Sequence, residues 1–177
     1  MKKVFASVTL FVIAVALALS MAVFPMQTVA ASANQQQVTR TPISRTFDQQ
    51  MSYSLQREQN WLMRQNLHLN QATQIAQKVQ EAINKAQQAG LDVADLQNAL
   101  DTFNSQLSVA QSSHDQAAAI LASPAGFDAN GNVTDSQVAH QTLASARDAL
   151  QQAHLTLTNA TLTLRTAFLN WRQTHNL

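Results

Sequence analysis

Between Gln137 and Trp171 the chain contains neither glycine nor proline, and alanine stands at Ala139, Ala146, Ala153, Ala160 and Ala167, every seventh residue. Leucine keeps the same interval at Leu143, Leu150, Leu157 and Leu164, and Trp171 takes the next position. A seven-residue repeat returns large and small apolar side chains to one helical face, because 3.5 residues per turn bring positions a and d back to the same seam. An unbroken row of alanines lets a neighbouring helix approach toward the low end of the usual 8–10 Å range, and the leucines fill the groove beside it. This segment therefore has to be a long helix packed against other helices.

The remaining punctuation divides the chain the same way. Gly90 ends one uninterrupted segment that begins near Ser44, as glycine tolerates the left-handed conformation that closes a helix. A second segment opens at Asp92, with Asp95 three residues on, and stops before Pro124. The third opens at Thr134 with Gln137 three residues later, the pattern of a capping box. In the second segment Val93, Leu96, Leu100, Phe103, Leu107, Ala110, His114, Ala117 and Leu121 step by three and four without a miss. The first follows with Leu55, Leu62, Leu69, Ala76 and Ile83 at a, and Met51, Ala72, Val79 and Ala86 at d. The expected fold is all-α: a long antiparallel three-helix bundle, coiled-coil-like, over residues 44–177. Its helices are expected at about 44–89, 92–122 and 135–174, roughly 65, 45 and 60 Å long at 1.5 Å per residue.

The start of the chain reads differently. Lys2 and Lys3 precede an uncharged apolar run from Val4 to Phe24, Pro25 breaks it, and Ala31-Ser32-Ala33 ends the small residues that follow. Basic head, apolar centre and A-x-A terminus make residues 1–33 a secretory signal peptide, cleaved before Asn34. The competing reading is a retained anchor, since about 20 apolar residues cross a bilayer. Residues 34–43, polar and aperiodic, read as a flexible lead-in. The localisation expected is exported: periplasmic, cell-surface or secreted, with no membrane attachment once the leader is removed.

Charge narrows the partners. The whole chain carries a formal net charge of +1, and removing Lys2 and Lys3 leaves nine basic against ten acidic residues. Without a basic stripe nothing draws the mature chain to nucleic acid. There is no cysteine, so neither a disulfide framework nor a thiol nucleophile is available, and packing alone holds the fold.

Few residues offer chemistry. The chain lacks a G-x-S-x-G elbow, an H-E-x-x-H helix and a glycine-rich phosphate loop, so it reads as a non-enzyme. Asp128, Asn130 and Asn132 alternate as in a calcium loop, but Val133 and Ala139 occupy the positions that need glycine and glutamate. Asn130-Gly131 favours a tight turn instead. His68, His114 and His154 fall at similar heights of a hairpin pivoting at Gly90, and three converging imidazoles would suit zinc or a similar divalent metal. The favoured reading is the plainer one, His114 as a lone hydrogen-bonded core histidine and the other two as solvated edge residues. Glu58 and Gln65 interrupt the first seam at d, near the level of His140 and Arg147, which would make a polar layer in the open end of the bundle. The favoured expectation is instead that helix one overhangs there and both face water, because the shorter second helix has ended near that level.

The third helix carries a second apolar row. Leu155, Leu162 and Leu169 repeat every seven residues at position f, opposite the Leu/Ala seam, with Phe168 beside the last. These four are the candidate partner-binding residues, for self-association or for a helical partner. Small exported helical chaperones share the size and helix content, but their repeated signature motifs are missing here, and fold-level likeness assigns no function. The leading functional expectation is an exported, non-enzymatic helical protein acting by surface binding, in a chaperone, scaffold or adhesion-type role. The alternatives are an extracytoplasmic metal binder using the histidines, with no other cofactor expected, and a membrane-anchored helical spacer.

Overall fold

The computed structural model describes residues 47–176, so the leader and lead-in expected at 1–43 lie outside the described residues. The described chain is three helices, α1 (Phe47–Gln88), α2 (Ala94–Ala122) and α3 (Ser136–Thr174). No strand forms among the described residues; the one β-contact is an isolated antiparallel bridge between Phe127 and Val133. None of these helices is long and apolar enough to cross a membrane.

Each helix end has a local cause. At the end of α1 the Leu91 amide donates to the Ala86 carbonyl (3.1 Å) and the Gly90 amide to that of Gln87 (2.9 Å), with Gly90 at φ +78°. This is a Schellman closure, which requires the left-handed conformation glycine supplies. The cap of α2 is Val93, which makes no side-chain cap bond, rather than the expected Asp92, whose carboxylate accepts the Ala94 amide (3.0 Å). The cap of α3 is Asp135 rather than Thr134: its carboxylate accepts the Gln137 and Val138 amides, both at 3.0 Å. Gly126 lies in the α2–α3 connection at φ +82°, where a Cβ would run into the Ala139 backbone. Its carbonyl accepts the Thr134 amide at 2.8 Å, so this connection is folded onto the start of α3.

Cross-helix contacts fix the directions. Asp48 meets Ser136, Glu58 meets Arg147 and Gln65 meets Leu150, so α1 and α3 ascend together. Gln80 pairs with Gln97 and Gln65 with His114, so α2 runs opposite to α1. The bundle is therefore up-down-up, with the most extensive packing between α2 and α3. The α3 alanines at 139, 146, 153 and 160 are completely buried, and Leu150 and Leu164 beside them likewise. Leu157 and Ala167 are only partly covered.

The apolar interior falls into two clusters rather than one. The one nearer Gly90 contains Val79, Ile83, Leu100, Phe103, Leu164 and Phe168. The other contains Met51, Leu55, Leu121, Leu143, Ala146 and Leu150, with Phe127 and Val133 of the connection packed against it. Between them the buried polar residues Gln65 and His114 stand among Leu69, Ala110 and Ala153.

Candidate functional site

Glu58, Gln65 and His114 are 1%, 3% and 6% exposed, although each is a polar residue on a helix seam. A buried polar group costs free energy unless it is hydrogen-bonded, so their partners explain their presence. The Gln65 amide donates from Nε2 to the Leu150 carbonyl of α3 (2.9 Å), while its Oε1 lies 3.1 Å from His114 Nδ1 of α2. As Oε1 can only accept, His114 carries its proton on Nδ1. One glutamine side chain thus joins all three helices.

Glu58 is held from the side. Its Oε1 accepts from Arg147 Nη2 (3.0 Å) and Nε (3.2 Å) on α3 and from Arg57 Nη2 (3.1 Å). The Arg57 and Arg147 side chains are 62% and 46% exposed while Glu58 is buried. Glu58 Oε2 is buried without a hydrogen-bond partner. These two residues were expected to face water past the end of α2, and they do not. The connection after α2 folds back with Phe127 and Val133 against the apolar cluster to which Met51 and Leu55 belong, and α3 begins level with Asp48, so this end of α1 has neighbours although α2 has ended.

The histidines are dispersed among different tasks. His114 is turned to Gln65; the His154 ring sits edge-on to Trp61 with centroids 6.5 Å apart; His68 is half-buried on α1. Among the described residues no three histidine or carboxylate side chains form a group that could hold a metal ion. The expected His68, His114 and His154 triad is therefore not assembled. Equal height along a bundle does not make side chains converge, because each points to its own neighbour.

Burial pushes the His114 imidazole below its usual value of 6.5, and the nearby Asp115 carboxylate acts in the opposite direction without reversing the effect. Between the lowered folded value and the unfolded value near 6.5, the unfolded chain binds more protons than the folded one. Stability therefore rises with pH across that window and is lost as pH falls through it. The denaturation midpoint should drop on acidification below about 6.5, and His114→Gln should flatten that dependence. An identical slope in the variant would place the titration elsewhere.

In the α2–α3 connection, Asp128 Oδ1 accepts the amides of Asn130 (2.8 Å) and Asn132 (2.9 Å), and Oδ2 accepts Asn132 Nδ2 (3.0 Å). The Asn132 side-chain bond leads the contacts that lower the Asp128 carboxyl below its usual range. Both oxygens are engaged in shaping the turn, the role the Asn130-Gly131 pair points to.

On the outer face of α3, Leu155, Leu162 and Leu169 are 48%, 42% and 43% exposed. Phe168, expected beside them, is 0% exposed. It stands at position e, on the flank that α3 turns to α1, and belongs to the Gly90-end core with its ring 6.2 Å from that of Trp171. Trp171 in turn donates its indole N–H to the Asp92 carbonyl, tying the end of α3 to the start of α2. The outward row is thus three leucines, without the phenylalanine.

No protein-family model matches the chain, and neither a curated protein nor a solved structure matches it.

Proposed function

We propose that this is an exported, non-enzymatic protein that works by binding, taking an amphipathic helix of a partner protein against the outer face of α3. The observation that carries the reading is the row of Leu155, Leu162 and Leu169, exposed at seven-residue spacing on one straight helix. It extends over about 21 Å at 1.5 Å per residue, a length and spacing that suit a second helix laid alongside. Its area is on the order of a few hundred Å², where exposed apolar patches often mark interaction sites. A stable interface buries about 800 Å² per partner, so the row favours transient docking over a permanent dimer of this chain. Thr158, Arg165 and Arg172 flank it, which suits a partner with acidic residues beside its apolar seam.

The titratable residues inside the bundle support binding over catalysis, since Glu58 and His114 are occupied in holding helices together. The metal-binding alternative gains no support from a histidine set in which His114 serves Gln65 and His154 lies against Trp61. Export rests on the basic head, apolar run and A-x-A end of residues 1–33. An intact mass beginning at Asn34 would agree with it, and an uncut leader would favour the anchored spacer.

Leu162→Glu tests the docking face. It should alter stability by no more than about 0.5 kcal/mol, leaving circular dichroism and melting largely unchanged. The same change should abolish capture of an acid-flanked helical partner from the exported fraction. Equal capture of the same protein by wild type and variant would place docking elsewhere.

A further inference from the structure

We propose that the N-terminal part of α1, residues 47–62, is a hinged arm that swings off the α2–α3 pair about the Gln65–His114 layer. Its opening uncovers the apolar surface of Leu121, Leu143, Ala146 and Leu150. Four observations place the hinge.

The first is the distribution of buried apolar side chains along α1. Eight lie between Leu69 and Ala86, whereas only Met51 and Leu55 are fully buried before the polar layer. Trp61 and Leu62 add partial cover. Apolar burial is the main attraction between helices in water, so the two parts of α1 are held with very different strength.

The second is the chemistry of the break. Across it α1 is joined by the Gln65 bonds and by the Glu58–Arg147 pair, whose arginine side chain is already about half in solvent. When the arm leaves, the Glu58 carboxylate, the Gln65 amide and the imidazole regain water, which offsets their lost bonds far better than water offsets a lost leucine contact. Third, Glu58 Oε2 is buried without a partner in the closed state, a cost relieved on opening. Fourth, the arm fits poorly against the connection. A cleft of about 390 Å³, open to solvent, lies between Ser52, Gln56 and Gln59 of α1 and Pro124, Asn130 and Asn132.

What remains after opening holds together by itself. α2 and α3 share the most extensive contact in the bundle, and the connection between them is closed by the bonds to the Gly126 carbonyl and by the Phe127–Val133 bridge. Gly90-end packing keeps the rest of α1 in place. The hinge does not involve the outer row of α3, so it stands apart from the docking proposal.

Amide hydrogen exchange of the intact protein, followed by mass spectrometry, tests the arm. Amides of 47–62 should exchange as one block at least about ten-fold faster than those of 69–86, with the step at the polar layer. The double variant Glu58→Leu with Arg147→Leu replaces the ion pair by apolar contact, and should slow the 47–62 block by about ten-fold while leaving 69–86 unchanged. One exchange rate along all of α1 would overturn the proposal. So would a smooth gradient from residue 47, which is end fraying, or a double variant that folds but leaves the block's rate unaltered. Should the double variant fail to fold, the wild-type profile alone decides.

Discussion

Phe168→Ala should destabilise the protein by about 3–5 kcal/mol, while Leu169→Ala, one residue further on, should cost about 1 kcal/mol or less. Phe168 is wholly buried in the Gly90-end cluster, to which all three helices contribute. Truncating it removes the transfer free energy of a benzyl group and leaves a cavity that interlocked helices fill only in part. Leu169 already keeps 43% of its surface in water, so it has less to lose. Against a total stability of about 5–15 kcal/mol the first change is severe, and its melting temperature should fall by about 10–15 °C. Urea denaturation checks both, with an unchanged slope showing that the folded and unfolded states remain comparable. Equal losses for the two variants would mean that the inward and outward faces of α3 have been exchanged.

The polar layer predicts a different signature, non-additivity. Gln65→Leu should cost about 1–3 kcal/mol, because it strands the buried His114 N–H, and His114→Leu should cost a similar amount by stranding Gln65 Oε1. The double variant leaves neither group unsatisfied on that contact and puts apolar volume between two apolar clusters. It should be close to wild type, or more stable, with a coupling of about 1–3 kcal/mol in a double-mutant cycle. Simple addition of the two losses would show that the glutamine and histidine act independently.

Much of this architecture is readable from residue order. Gly90, Gly126 and Pro124 mark the breaks because backbone conformation at a helix end is a local matter. The α2 seam is equally plain: of the residues that step by three and four, Leu96, Leu100, Phe103, Ala110, His114, Ala117 and Leu121 are buried, while Val93 and Leu107 are only partly so. Position f of α3 is likewise legible, since Leu155, Leu162 and Leu169 point away from that seam.

The residues misread share a physical reason. An a/d pattern describes a helix with one neighbour, whereas each helix here has two, and the buried arc widens to the flanking positions. Ile75 and Ala82 of α1, and Ala149, Thr161 and Phe168 of α3, are buried on those flanks. Phe168 therefore faces inward although its sequence neighbour Leu169 faces out. Arg147 is level with Glu58 by counting and does meet it, but that the carboxylate is buried there, and that Gln65 reaches the Leu150 carbonyl 85 residues away, no local pattern supplies. The placement of the histidines has a related cause. Level along the bundle follows from counting residues, but which neighbour a ring faces depends on rotation about the helix axis and on the side chain waiting there, Gln65 for His114 and Trp61 for His154.

The proposal that α3 docks a partner helix is tested most directly by site-specific photo-crosslinking in the producing cell. A photoreactive side chain would replace Leu155, Leu162 or Leu169 in turn, with Val109 of α2 as the control, since it is comparably apolar and 51% exposed. The account predicts one crosslinked partner common to all three α3 positions and missing from position 109, with the attachment mapping to a helical segment that carries acidic residues beside its apolar seam. Crosslinks of the same kind from position 109, or none from any of the three leucine positions, would contradict it.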